Sequence, residues 1–410
     1  MRILLLTQYF WPENFIINDI VRTLGEQGHE VVVATGKPNY PDGSIFPGYA
    51  ARGTQTEHYT DTIDVVRVPL WPRGRGGARN LAGNYLSFVL TGLIFFPWLL
   101  RGRRFDAIVV FAPSPITQTI PAILLKWIKR APLVLWVQDL WPESLEATGF
   151  VKSRRILGAV GWMVRGIYRY CDLLLVQSRA FTDSVARYAA REKIEYYPNS
   201  IPKPKITPGV ALPGELSKTL AEHFCVVFAG NLGTAQGLDT IVLAARQLRD
   251  YAGVRLVLVG SGSRLEWLKQ QKDSQRLDNL ILTGRLPPAS MPALFRGASA
   301  LLVALNDEPI FAQTIPSKLQ AYMAASRPIV ASLNGEGARV VEEAGAGLTS
   351  AAGDATALAG NIVALHSMTN EQREAFGQAG YQYYLEHFEM ESQCRRLVEI
   401  LFSLTEQHRK

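Results

Sequence analysis

Short apolar runs recur along the chain at a regular spacing. Ile3–Thr7, Glu30–Thr35, Val65–Pro69, Ala107–Phe111, Leu133–Gln138 and Leu173–Gln177 fill the first half. Cys225–Ala229, Arg255–Val259, Leu280–Thr283, Ala300–Val303 and Pro328–Ala331 fill the second. Each run ends in glycine, proline or a small polar residue, and the segments between them carry helical spacing, as in the stretch from about Ile16 to Gln27. Alternating strand–helix units of this kind build doubly wound parallel sheets, whose ligands sit beyond the carboxyl ends of the strands. Five prolines between Tyr197 and Gly214 (Pro198, Pro202, Pro204, Pro208 and Pro213) interrupt any regular element and mark a linker. The expectation is an α/β chain of two domains, residues 1–197 and 215–380, joined by 198–214. A terminal helix over 381–410 packs back toward the first domain, and a cleft lies between the two parallel sheets.

The densest chemistry lies in 229–330. AGNLGTAQGLD, LVLVGSGSR, TGRLP and TIPSKLQAYMAASRPIV follow one another there, so helix N-termini and free N–H groups collect at one sheet edge, a natural seat for a diphosphate. Gly230, Gly233 and Gly237 permit close backbone approach, with Asn231 and Thr234 between them. Pro316 suits the start of a helix, and Ser317 and Lys318 behind it offer a hydroxyl and a cation. Gly260 and Gly262 in GSGS form an incomplete dinucleotide fingerprint, which reads as a strand-to-helix turn.

Composition narrows the class. Hydrophobic residues make up 48% and charged residues 19% of the 410, a globular composition able to bury large cores. Three distant cysteines, Cys171, Cys225 and Cys394, give no disulfide framework or zinc spacing, and fit a reducing compartment. Ile3–Thr7 meets Trp11-Pro12-Glu13 too soon for a secretory segment. The +7 charge is confined to residues 1–200, where Lys and Arg outnumber Asp and Glu 23 to 16, against 20 each afterwards. Between Asp64 and Asp106 there is no acid. Arg73, Arg75 and Arg79 precede, and Arg101, Arg103 and Arg104 follow, the uncharged run Leu81–Leu100. That run is long enough to cross a bilayer, but arginines on both sides give no orientation, and strands on both sides belong to one sheet. The reading is an interfacial helix on anionic headgroups; the alternative is a buried core helix. The stripe Ile156, Leu157, Val160, Met163, Val164, Ile167 and Cys171 reads as core.

LLLTQYFWPEN, VQDLWPES, AGNLGTAQGLD, TGRLP, PSKLQAYMAA and EEAGAGL, in that order, resemble the WbuB-like group within family four of the retaining glycosyltransferases. The resemblance spans nearly the whole length. It implies a GT-B fold of two Rossmann-like domains, with nucleotide-sugar held by the C-terminal domain and acceptor by the N-terminal one. It also implies no metal or other cofactor, and the absence of any DxD triplet agrees. Departures matter. Members of the wider family are similar in an Arg and a Lys after the first C-terminal strand; Asn231 and Gln236 stand there. A Glu pair with seven residues between its members falls on Gln313 and Ala321, and a histidine on Gln138. Charge on a leaving diphosphate must be met, which points to Lys318 and Arg285, with Leu286, Gln313, Pro316 and Ser317 as further donor contacts. Asp139, at a strand end, is the expected catalytic acceptor of a sugar hydrogen bond. Glu13, Asn14 and Glu143 are expected on the acceptor side, though Asn14 and Glu143 equally suit a helix cap and a first-turn acid.

The motifs point to a metal-independent transferase, and the resemblance implies that it moves a sugar, N-acetyl-fucosamine or a similar N-acetylated amino sugar, from a UDP-sugar to a polyprenyl-diphosphate-linked saccharide. Its expected place is the cytoplasmic face of the inner membrane, in O-antigen or capsule assembly, with no nucleic acid partner. A UDP-sugar 2-epimerase of the same fold and a non-catalytic nucleotide-sugar or membrane-binding partner are the alternatives.

Overall fold

The apolar runs fold as buried strands whose alternate residues enter different cores. The computed structural model describes residues 1–74, 77–147, 151, 153–204 and 211–409, in two units: Met1–Ser200 with Met390–Lys410, and Ile201–Glu389. In the first unit β1 (Arg2–Leu6), α1 (Ile16–Glu26), β2 (Glu30–Gly36), β3 (Gln55–Thr60), β4 (Ile63–Val68), α2 (Ala78–Leu99) and β5 (Ala107–Ala112) come first. They are followed by α3 (Ile120–Lys129), β6 (Leu133–Val137), α4 (Glu143–Ala147), α5 (Arg154–Tyr170), β7 (Leu173–Val176), α6 (Phe181–Ala186) and β8 (Ile194–Tyr196). The sheet order is β3-β4-β2-β1-β5-β6-β7-β8. β3 pairs antiparallel with β4, and the other pairs are parallel. Along β1, Ile3 and Leu5 join the core under α1, whereas Leu4 and Leu6 join the core under α2, α3 and α5, the period of two expected of a strand covered on both faces.

The second unit contains α7 (Gly214–Glu222), β9 (Phe224–Ala229), α8 (Leu238–Gln247), β10 (Val254–Val259), α9 (Leu265–Gln275), β11 (Leu280–Gly284), α10 (Met291–Gly297) and β12 (Ala300–Ala304). α11 (Pro309–Ala312), α12 (Ser317–Ala324), β13 (Ile329–Ser332), α13 (Glu336–Glu343), β14 (Gly347–Ser350), α14 (Ala355–Ser367) and α15 (Asn370–His387) complete it. Its strands run parallel in the order β11-β10-β9-β12-β13-β14. Order reverses at β9, between β10 and β12, and a crevice opens beyond the carboxyl ends of the strands at such a point. A bridge between Ile201 and Glu389 brings this unit's two ends side by side.

Three details differ from the sequence reading. The 381–410 segment is not one helix: α15 ends at His387, and α16 (Met390–Arg409) begins afresh, burying Cys394, Leu397 and Leu401 in the core it shares with α1. The proline-rich linker falls partly on 205–210, so Pro208 lies outside the described residues, as does Arg75 of the arginine group. Finally, the stripe on α5 is core only on its inner side, where Gly161, Val164, Ile167 and Tyr168 are buried; Trp162 and Ile156 point out.

Candidate functional site

At the switch point of the second unit lies a cavity of about 570 Å³, lined by the ends of β9 and β10, the segment after β11, and α12. Gly230 leaves β9 at φ +149°, a conformation that side chains rarely adopt, and a Cβ there would lie 2.6 Å from Lys318 Cε. Glycine is what lets the lysine in. Lys318 Nζ sits 4.3 Å from the centroid of the Phe228 ring and donates to Gln236 Oε1. It has no carboxylate within ion-pair distance among the described residues. Burial disfavours the ammonium and pushes its pKa down from 10.5 to about 8. A half-dry cation without a counter-ion is a site prepared for an anion.

The rest of the wall follows from parallel pairing. Gly230 N donates to Val259 O at 2.9 Å, and a Cβ on Gly260 would lie 1.8 Å from Gly230 O, so the turns after β9 and β10 are pressed together. Ser261 accepts from Arg285 Nε, which leaves the exposed guanidinium at the rim. Tyr322 Oη accepts from Ala229 N at 2.9 Å and fixes the end of β9 against α12. Met291, Phe295, Pro288 and Ala321 supply the apolar part. Outside the lining, Asn306 Oδ1 accepts from Gly237 N and its Nδ2 donates to Thr234 O, pinning the loop that carries Gln236.

Of the residues singled out in sequence, Gly230, Asn231, Arg285, Leu286, Ser317 and Lys318 line the cavity. Gly233, Thr234, Gln236, Gln313 and Pro316 do not; Gln236 touches it only through Lys318. Pro316 is the residue before α12, whose first helical residue is Ser317. Gly260, Ser261, Phe295 and Tyr322 were missed. The GSGS turn was the available signal, but its place beside Gly230 depends on strand pairing.

In the first unit the loops after β1, β2, β5 and β6 gather around a second polar cluster. Glu13 is 1% exposed. Its Oε1 accepts from Asn39 N and Tyr40 N, both at 2.8 Å, and its Oε2 from Phe10 N at 3.1 Å. The carboxylate therefore clamps two loops rather than facing outward, and burial raises its pKa to about 7. Asn14 is exposed and does not cap α1, whose N-cap is Phe15. Asp139, half-buried after β6, accepts from Ser144 Oγ; burial raises its pKa, opposed by the hydroxyls of Ser144 and Ser114. Glu143 opens α4, with Arg187 Nη1 3.5 Å from Oε1. Arg73, grouped in sequence with the membrane arginines, instead donates to Tyr9 Oη at 3.0 Å and lies over the Tyr40 ring at 5.1 Å. Arg103 pairs with Asp64 at 2.6 Å. Among the described residues no group of three or more His, Cys, Asp or Glu could hold a metal ion.

Comparison with known proteins agrees with this geometry. Residues 14–200 match a family model described as glycosyl transferase 4-like domain, and residues 223–368 one described as glycosyl transferases group 1. A protein described as a glycosyltransferase, WbjE of Pseudomonas aeruginosa, is 27% identical over 332 residues, 77% of this chain and 78% of that protein. WcaI of Escherichia coli (strain K12), a protein described as a colanic acid biosynthesis glycosyl transferase, is 25% identical over 319 residues, 75% of this chain and 76% of its own. HepE of Anabaena, solved in complex with UDP, superposes with a TM-score of 0.67 at 17% identity, covering 98% of this chain and all of that one. The fold is GT-B, and the chain is a glycosyltransferase with a 4-like domain followed by a group 1 domain.

Proposed function

We propose that this glycosyltransferase moves a sugar from a UDP-sugar, with retention at the anomeric carbon, to a polyprenyl-diphosphate-linked saccharide in surface-polysaccharide assembly. The donor sugar is an N-acetylated amino sugar such as N-acetyl-fucosamine, and the work takes place at the cytoplasmic face of the inner membrane. The observation that carries the reading is Lys318: a half-buried ammonium, without a carboxylate partner among the described residues, at the head of a cavity built from glycine turns. When the bond from anomeric carbon to phosphate oxygen breaks, the electron pair leaves on the diphosphate, and Lys318 with the N–H groups of the β9 and β10 turns meets that charge. Arg285 completes the clamp from the rim. The cavity's apolar wall fits a base and sugar better than inorganic phosphate.

The acceptor side rests on the first unit. Asp139 accepts a hydrogen bond from a sugar hydroxyl, held for this by Ser144. Glu13 acts at one remove, keeping the loops after β1 and β2 in register. Two relatives support the setting: WcaI by its colanic acid description and HepE by its UDP complex. No bound metal enters this scheme.

The test is a transfer assay with UDP-, GDP- and dTDP-sugars against polyprenyl-diphosphate saccharides in vesicles, read by mass spectrometry of the lipid. A new lipid-linked sugar with release of UDP supports the reading. Donor turnover to an isomer without acceptor would replace it with an epimerase.

A further inference from the structure

The two faces of the first unit's sheet are covered by layers of opposite character. α1 and α16 mix charges: Asp19, Glu26, Glu391, Glu399 and Glu406 stand among their arginines. α2, α3 and α5 contain no Asp or Glu at all. Their outward positions are also unusually apolar. On α2 the exposed residues Leu86, Leu90, Ile94 and Trp98 repeat every fourth position, while Phe88, Phe96 and Leu100 pack inward. α3 adds Trp127 and Ile128, and α5 adds Ile156 and Trp162, the latter 78% exposed. α2 packs on α3 and α3 on α5, so these side chains share one layer.

The exposed charges on these three helices have a single sign. Arg155, Arg165 and Arg169 flank Trp162 on the exposed side of α5. Arg79 lies at the start of α2, Arg101 and Arg104 just past its end, and Arg130 just past α3; all are exposed. None of these seven arginines has a carboxylate partner among the described residues. Lys126 and Lys129 are already engaged, with Asp172 and with the Leu100 carbonyl. Arg101 also lies over the Trp98 ring at 5.8 Å.

We propose that α2, α3 and α5 together form a docking surface for an anionic lipid bilayer, with Trp98, Trp127 and Trp162 entering the headgroup–acyl boundary and the arginines on lipid phosphates. This deepens the lipid-acceptor reading above and changes the interfacial helix from one element to three. α2 passes the length and hydropathy test for a membrane span, but its inward row is part of the sheet's core, so it lies on the bilayer. A protein partner or a second copy would meet helices that carry exposed arginines and no acid; a second copy would set arginine against arginine. Anionic lipid is the complementary occupant.

Flotation of the full chain with phosphatidylcholine vesicles, with and without 30% phosphatidylglycerol (about one lipid in three, the scale of an anionic leaflet), tests this. Wild type is expected to float with the anionic vesicles and to be released by salt. Arg155→Gln/Arg165→Gln/Arg169→Gln is expected to bind roughly a hundredfold more weakly, at about fivefold per arginine. Trp127→Ser/Trp162→Ser is the decisive variant, since it leaves α2 untouched, and at least a tenfold loss is expected. All substituted side chains are exposed, and a thermal shift with UDP run in parallel reports folding and the donor site separately. Three results overturn the proposal. Wild type ignores anionic vesicles at low salt; or Trp127→Ser/Trp162→Ser floats like wild type, which returns the surface to α2 alone; or wild type is a dimer in solution that the same variant makes monomeric. An absent UDP shift with normal flotation would instead overturn the donor reading and leave the surface standing.

Discussion

Removing the Lys318 ammonium is the sharpest perturbation the structure offers. The depression of its pKa from 10.5 to about 8 corresponds to about 3 kcal/mol of disfavour for the charged form, at about 1.4 kcal/mol per tenfold in the proton equilibrium. The sign is definite. The folded pKa lies below the unfolded one, so the folded state carries the penalty below pH 8, and stability rises as pH climbs from about 8 to 10.5. A bound diphosphate reverses the disfavour. Above pH 8, binding must therefore take up a proton, and UDP affinity should be about tenfold weaker at pH 9 than at pH 7; the terminal phosphate, with a pKa near 6, is already about nine-tenths ionised at pH 7 and changes little. Lys318→Ala should bind UDP roughly 10- to 100-fold more weakly at pH 7, the range of about 1.5–3 kcal/mol for a charged hydrogen bond. Its affinity should not vary between pH 7 and 9, and turnover should fall by about 10²- to 10³-fold. Isothermal titration at both pH values measures affinity and proton uptake together, the latter from buffers of different ionisation enthalpy. The reasoning is refuted if the variant binds as wild type does, or keeps the wild-type pH slope.

Other expectations follow from neighbouring contacts. Gly230→Ala forces a Cβ to 2.6 Å from Lys318 Cε at φ +149°; UDP affinity should drop with a stability loss of about 1–3 kcal/mol, checked by titration and urea unfolding. Glu13 has a folded pKa of about 7 against 4.5, so stability should fall as pH rises from about 4.5 to 7. Glu13→Gln should flatten that slope, read from urea midpoints across the window. Asp139→Asn should retain UDP affinity while losing at least about 100-fold in turnover; unchanged turnover would remove Asp139 from the site. Tyr322→Phe deletes the 2.9 Å bond to Ala229 N and should cost about 1 kcal/mol, seen by calorimetry.

Much of this was legible in sequence because buried parallel strands leave a strong signal. Phe224–Ala229 and Ala300–Ala304 are wholly buried, so their apolar runs and the glycines closing them could be read directly. β3 was not: QTEHYT alternates between half-buried and exposed at a sheet edge, with no apolar run to reveal it. Gly260 and Gly262 read in sequence as a broken fingerprint, since only the parallel register of β9 with β10 brings Gly260 and its neighbour Ser261 to Gly230. Arg73 read as a surface cation because sequence cannot show that the loop after β4 stacks it on Tyr9 and Tyr40. On α5 the inner row was correctly read as core, whereas Trp162 was not singled out, because an amphipathic pattern does not say whether the outer face is covered.

The central claim is that the cavity beyond β9 and β10 seats the nucleotide diphosphate. Hydrogen–deuterium exchange of the full chain with and without UDP tests it most directly. Slower exchange is predicted in 229–237, 259–262, 285–291 and 317–322, and its loss in Lys318→Ala. Protection confined to the first unit, or none with UDP, GDP or dTDP, would contradict it.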